Sequence, residues 1–240
     1  MSNNVKKYNT DKYPFSKIIC NFFEVDNLEN LHLLDKSLCK GQKLTQENEA
    51  NTNFHKKYYK KLNDGWPELE TCFQQFVENE ISPLFKCSFL YQTMPSFRVQ
   101  VPNQIAVSNW HYDTDYNHGH PDWEINIQIA LTDAFDTNAT WVESIPGLGD
   151  YKPMNLLKDE YTIFNGNKCI HGNYFNQTKK TRVSYDFRVI PYYIFDGNGN
   201  KIYNVVENNS EKEFVGKLNS ENSFYGRKWT VGQYYSVFKK

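Results

Sequence analysis

The hydrophobic pattern of this chain changes period once, and that change constrains its architecture more than any single motif. From Pro67 to about Ile81, a proline is followed by Leu69, Cys72, Phe73, Phe76, Val77 and Ile81 at three- and four-residue intervals. This predicts an amphipathic helix that Ser82-Pro83 should end. After Pro95 the period is two, as in Phe97-Arg98-Val99-Gln100-Val101. Strands are expected at 97–101, 104–112, 123–132, 139–144, 160–164, 168–173 and 181–190. Pro102-Asn103, Gly119-His120-Pro121, Pro146-Gly147-Leu148-Gly149 and Asn165-Gly166-Asn167 punctuate them. Many short strands after a helical block predict a mainly β protein, an antiparallel jelly roll or barrel flanked by helices.

The flanks fit that plan. Ile18-Ile19-Cys20-Asn21-Phe22-Phe23 reads as a short strand or an ordered arm. Leu28, Leu31, Leu33, Leu34 and Leu38 suggest a first short helix, and Gln46 to Leu62 a second, more exposed one. Asp196-Gly197-Asn198-Gly199-Asn200 is a plain turn before a mixed tail ending in Tyr234-Tyr235-Ser236-Val237-Phe238. No repeat or linker divides the 240 residues. The expectation is one domain over 1–240, with a helical flank over 1–95, a jelly-roll core over 96–195 and an extension over 196–240 packed on that core.

Composition narrows the partners. The 27 Lys plus Arg nearly balance 28 Asp plus Glu, so no broad basic field attracts nucleic acid or an anionic membrane, and a small-molecule partner is favoured. No run approaches the ~20 apolar residues that span a bilayer, and the start lacks a secretory h-region. Five cysteines, odd in number and without a CxxC pair, read as reduced thiols in a cytoplasmic protein.

Chemistry is concentrated at Trp110-His111-Tyr112-Asp113. On a strand His111 and Asp113 share a face, and His171 follows 58 positions after Asp113 in a second short strand. Two imidazoles and one carboxylate are the set that holds a non-haem Fe(II) on one face and leaves the other open. Taken alone, His-x-Asp is as well explained by a surface histidine beside a solvated aspartate; the aromatic-rich β context and His171 favour the metal. His118 and His120 lie in a Gly- and Pro-bearing loop and suit a lid or substrate contact, or no role. His32 and His55 sit in the helical block with no paired ligand and read as structural. Cys169 shares parity with His171 but reads as a packed residue.

An anion grip follows eleven residues after His171: Arg182 and Ser184 share one strand face with Asp186 and Arg188, opposite apolar Val183, Tyr185, Phe187 and Val189. A planar guanidinium aimed into a barrel mouth binds a carboxylate bidentately. Arg188 reads either as a substrate anchor or as the ion-pair partner of Asp186. Asn126 and Gln128 occupy the polar side of an alternating strand, which faces either the cavity or solvent. Arg98, Gln100, Trp141, Glu143 and Asn165 are further pocket candidates.

Together, His111-x-Asp113, His171 and Arg182-x-Ser184 resemble the Fe(II)- and 2-oxoglutarate-dependent dioxygenases of the double-stranded β-helix fold. The strings NWHYDTDYNHGHPDWEINIQIALT, ATWVESIPGLGDY and RVSYDFRVIP look like a subgroup related to a streptomycin-biosynthesis protein, over about residues 95–195. The resemblance implies Fe(II) on His111, Asp113 and His171, and 2-oxoglutarate chelating that iron with its far carboxylate on Arg182 and Ser184; if its strand face looks into the cavity, the Asn126 amide suits hydrogen bonding to that acid. It also implies consumption of O2 with release of succinate and CO2. A small metabolite, such as an amino acid, amino sugar or natural-product intermediate, would meet Arg98, Gln128, Trp141 and Arg188. Hydroxylation is the implied outcome, because the related halogenases lack the carboxylate that Asp113 supplies. The alternative is a cupin-like metal or small-molecule binding protein without oxygenase activity, which needs no second anion grip.

Overall fold

The computed structural model describes residues 5–39, 52–106, 110–115, 120, 123–208 and 235–240. The chain begins with a two-residue strand β1 (Lys6–Lys7) and helix α1 (Phe15–Phe23). Phe15, Ile18, Ile19 and Phe23 are buried at helical spacing, so the arm or strand expected over 18–23 is instead a helix, closed by Glu24 in the left-handed region. The short helix expected around Leu28–Leu38 is two 3-10 stretches, Leu28–Leu34 and Lys36–Cys39. There Leu28 and Leu31 are buried, while Leu33 and Leu34 face out.

Helix α2 (Asn53–Asp64) starts where the Thr52 hydroxyl accepts from His55 N–H; the part of that expected helix before residue 52 lies outside the described residues. Helix α3 (Pro67–Phe76) has Pro67 and two glutamates in its first turn, then widens over Val77–Ile81 and ends in a 3-10 turn at Ser82–Leu84.

The strands then follow as β2 (Phe89–Gln92), β3 (Ser96–Gln100), β4 (Ile125–Ala130), β5 (Thr140–Val142), β6 (Lys152–Pro153), β7 (Glu160–Phe164), β8 (His171–Asn173) and β9 (Arg182–Pro191). A hairpin β10 (Tyr193–Phe195) and β11 (Lys201–Asn204), a short α4 (Val205–Asn208) and β12 (Tyr235–Phe238) complete the chain. The turn over 196–200 is therefore the tip of a hairpin, where Asp196 Oδ1 accepts from the backbone of Asn198 and Asn200.

The large antiparallel sheet runs β1-β7-β4-β9-β2-β12, with β3 also on β9, and the small one runs β6-β5-β8. His111 adds to β8 through an isolated antiparallel bridge to His171. From β3 onward, successive segments fall on the large, small (His111), large, small, small, large, small and large sheets. This is the double-stranded β-helix, with β3-β9-β4-β7 facing His111-β8-β5-β6 across a cavity.

The helices cover the outer face of the large sheet. Phe76 meets Tyr161 edge-on at 5.3 Å between ring centroids, Phe73 meets Phe187 at 5.0 Å, and Tyr58 stacks on Phe97 at 4.4 Å. Alternation then sends the opposite parity inward. The register Asn126↔Arg188, Gln128↔Asp186, Arg98↔Ser184 and Gln100↔Arg182 gathers the polar side chains of three strands on the inner face. No helix among the described residues is long and apolar enough to cross a membrane.

Candidate metal centre

His111 and His171 exchange both backbone hydrogen bonds, at 3.0 and 2.8 Å, and their rings lie 4.6 Å apart. The chain then turns, and Asp113 N–H donates to the carbonyl of Gly166 at 2.9 Å. Two glycines permit this closeness. A Cβ on Gly172 would stand 2.8 Å from the Trp110 ring, and one on Gly166 would stand 2.7 Å from Phe164 and 2.9 Å from Asn126. Trp110 rests on Gly172 between Tyr151 and Tyr174. The expected strand over 104–112 is thus a single bridged residue, His111, among the residues described there.

Three donor atoms converge as a result. Asp113 Oδ1 lies 3.6 Å from His111 Nε2 and 3.7 Å from His171 Nε2. These distances are too long for hydrogen bonds, yet shorter than twice a metal–donor bond of ~2.1 Å. Among the described residues Oδ1 is buried without a hydrogen-bond partner, whereas Oδ2 accepts from Asn126 Nδ2 at 2.7 Å and from Arg188 Nε at 2.9 Å. A buried carboxylate oxygen left bare between two imidazole nitrogens fits a cation.

Protonation agrees with that geometry. Burial pushes the Asp113 carboxyl up, but the Arg188 guanidinium, helped by His120, His111 and His171, overrides it and holds the group well below the usual carboxylate range. Burial pushes His171 down to about 4, against the opposing pull of Asp113. His171 Nδ1 lies 3.1 Å from the carbonyl of Cys169, which can only accept. The proton therefore sits on Nδ1, and Nε2 presents its lone pair to the centre.

The other predicted residues divide clearly. Arg98, Asn126, Gln128, Arg182 and Arg188 line the cavity beside His111 and His171. Arg182 is almost fully buried. Its Nη1 donates to Ser184 Oγ at 2.7 Å, its Nε to the carbonyl of Asn138 at 3.1 Å and its Nη2 to Gln100 Oε1 at 3.4 Å. All three acceptors are neutral. Burial lowers its pKa to about 10, which leaves it charged at pH 7.

Arg188 pairs with Asp113 and Glu124. The pairing with Asp186 entertained for it belongs instead to Arg98, at 3.0 Å. Gln128 Nε2 donates to Asp186 Oδ1 and Thr140 Oγ1. Trp141 departs from expectation. Strand alternation puts Thr140 in the cavity and Trp141 on the opposite face, where its indole N–H donates to Asp136 O and its ring meets Tyr174. Glu143 accepts from the backbone of Ile170 and Gly149, steadying the approach to His171 rather than lining the cavity.

His118 lies outside the described residues, and His120 Nδ1 is 2.9 Å from Glu124 Oε2. Asp113, His120 and Glu124 also bring oxygen and nitrogen donors together, but Arg188 Nε lies 2.9 Å from Asp113 Oδ2 and 3.5 Å from Glu124 Oε2 and supplies the positive charge there itself. His32 and His55 hydrogen-bond Thr181 and Thr52 in the helical flank. Sequence reasoning passed over Glu124. Its signal was parity: Glu124, just before β4, alternates with Asn126 and Gln128 of that strand, and all three are buried.

Fold and site define a jelly roll that presents two histidines and one carboxylate at the mouth of a charged cavity. No family model matches the chain. It is 28% identical to the streptomycin biosynthesis protein StrG of Streptomyces griseus over 195 residues, 81% of this chain and 88% of that protein. Among solved structures, the non-heme alpha-ketoglutarate-dependent carbocyclase SnoK from nogalamycin biosynthesis aligns with a TM-score of 0.45 and 14% identity, over 82% of this chain and 85% of that one. CytC3 with Fe(II) and alpha-ketoglutarate aligns with a TM-score of 0.40 and 17% identity, over 78% and 71%.

Proposed function

We propose that this protein is a non-haem Fe(II)- and 2-oxoglutarate-dependent oxygenase that hydroxylates a small metabolite. The observation that carries the reading is the bare, buried Asp113 Oδ1 held between His111 Nε2 and His171 Nε2. In this reading His111, Asp113 and His171 hold Fe(II) on one face, and iron there, with 2-oxoglutarate and O2, supplies the oxidation that yields succinate, CO2 and oxidised substrate.

The cavity's charge supports the co-substrate. Among the described residues, Arg98 pairs with Asp186, Arg188 with Asp113 and Glu124, and Arg182 adds a third cation, so these charges cancel and a divalent cation leaves two positive charges. A dianion restores neutrality. Arg182, a buried cation whose hydrogen-bond acceptors among the described residues are neutral, binds the far carboxylate of that dianion together with Ser184, while Gln100 fixes the guanidinium plane. Asn126 acts through Asp113, whose outer oxygen it holds. Arg98 and Gln128 meet the substrate on the polar face. StrG's place in streptomycin biosynthesis supports a small natural-product intermediate as that substrate.

The test is succinate release from 2-oxoglutarate with Fe(II) and ascorbate, with and without a panel of amino acids, amino sugars and aminocyclitols. Substrate-stimulated succinate formation is expected. A protein that binds the metal but neither binds nor turns over 2-oxoglutarate is a cupin-like binding protein instead.

A further inference from the structure

Behind Asp113 lies a buried relay that reaches the end of the chain. Arg188 Nε donates to Asp113 Oδ2 at 2.9 Å and lies 3.5 Å from Glu124 Oε2. Glu124 also meets His120 Nδ1 at 2.9 Å, and its other oxygen accepts from the Tyr235 hydroxyl. Glu124 is 3%, Arg188 7% and Tyr235 0% exposed, so the relay is shielded from water. Tyr235 stands on β12, which pairs with β2 at the edge of the large sheet, remote in sequence from the metal motif.

We infer that Glu124 and Tyr235 are positioning residues for the metal centre, acting through Arg188 to fix which oxygen of Asp113 faces the ion. The inference rests on the proposed metal site. Arg188 pins Oδ2 together with Asn126, which leaves Oδ1 as the single inward donor. A guanidinium with no counter-charge would cancel Asp113 and weaken its hold on a cation; Glu124 balances Arg188, so Asp113 keeps its negative charge for the metal. The Tyr235 hydroxyl fixes Glu124 in turn and ties β12 to the site. Partners that orient a ligand in this way are worth roughly 10- to 100-fold in metal affinity.

The experiment is anaerobic titration of the full-length protein with Co(II), read by calorimetry and by the visible ligand-field spectrum, with thermal unfolding of the metal-free protein alongside. Glu124→Gln, which leaves the Arg188 charge unbalanced beside Asp113, should weaken Co(II) binding by roughly 10- to 100-fold, while Arg188→Gln, which lifts that charge and the hold on Oδ2 together, is read by the spectrum. The double variant should lose no more than the worse single, because both act on one element. The spectrum should also change, because Asp113 freed from Arg188 can turn its second oxygen onto the ion; loss of fold stability alone would not move it. Tyr235→Phe, which removes one hydroxyl and leaves the charges in place, should weaken binding by about tenfold, the lower end of that range, and serves where the charge variants do not fold. Affinity within about twofold of wild type and an unchanged spectrum in Tyr235→Phe and Glu124→Gln, with Asp113→Ala unable to bind, would overturn the inference and leave the metal site standing. Co(II) binding in Asp113→Ala equal to wild type would overturn both.

Discussion

Strand β9 has two faces, both buried, that do opposite work. Val183, Tyr185, Phe187 and Val189 are each 0% exposed against the helices, while Arg182, Ser184 and Arg188 on the other side are 2%, 1% and 7% exposed. Burial therefore cannot separate core from site in this molecule; the chemistry of the buried groups does. The apolar face gains from removing hydrocarbon from water and from edge-to-face ring contacts. The polar face bears the cost of desolvating charges, met only in part by the described protein partners: Arg182 has neutral acceptors, and Asp113, held by Arg188 of this face, has none for Oδ1 among them. Such a face is stable when a ligand completes it.

Substitutions on the two faces should separate stability from activity. The largest effect belongs to Asp113→Ala, which should reduce Fe(II) affinity and 2-oxoglutarate-dependent succinate formation to background; activity equal to wild type would remove Asp113 from the site. On the opposite face, Phe76→Ala takes away a ring packed on Tyr8, Tyr13, Phe15 and Tyr161. It should cost about 3–5 kcal/mol in chemical unfolding while leaving the dissociation constant for 2-oxoglutarate unchanged in the fraction that remains folded. A large shift in that constant would mean the faces are coupled. Arg182→Ala should weaken 2-oxoglutarate binding by about 2 kcal/mol or more, roughly 30-fold, with a smaller effect on Fe(II). Equal 2-oxoglutarate affinity in the variant would assign the anion grip elsewhere, with Arg98 the first alternative.

A last effect appears only on acidification. Burial pushes His55 down to about 3, with Arg98 adding to the shift. Its folded pKa is below its unfolded value of about 6.5, so between those values the unfolded chain binds a proton that the folded chain refuses. Stability should therefore be complete above about pH 6.5 and decline towards pH 3, with a slope from this group of at most about 1.4 kcal/mol per pH unit. His55→Gln should flatten that decline in urea titrations at stepped pH; an unchanged slope would place the acid sensitivity elsewhere.

Legibility of the fold followed periodicity. The expected strand over 160–164 matches β7, and 97–101 and 181–190 each miss by one residue, because β3 and β9 alternate cleanly between a ring-packed and a polar face. Strand β2 is buried on both sides and gave no alternation to read. The two-residue strands β1 and β6 are too short to show a period. Helix α1 reads as a strand or an arm in the sequence because the apolar residues over 18–23 are nearly continuous, which hides a 3.6-residue repeat.

At the candidate site, the convergence of His111, Asp113 and His171 was readable from residue type and spacing, and the shared inward face of Arg182 and Ser184 from parity. The partners of Arg188 were not, because Asp186 shares its parity on the same strand while Glu124 and Asp113 reach it only through the sheet register and the turn after His111. Trp141 failed for the complementary reason: an aromatic near a pocket strand says nothing of its parity until Thr140 is known to face inward.

The most direct test of the central claim is an anaerobic titration of 2-oxoglutarate into the Fe(II)-loaded protein, followed by visible absorption. The account predicts a charge-transfer band that saturates with 2-oxoglutarate, is absent without iron, disappears in Asp113→Ala and needs far higher concentrations in Arg182→Ala. Saturable 2-oxoglutarate binding that ignores both iron and Asp113, or no binding with iron present, would contradict it.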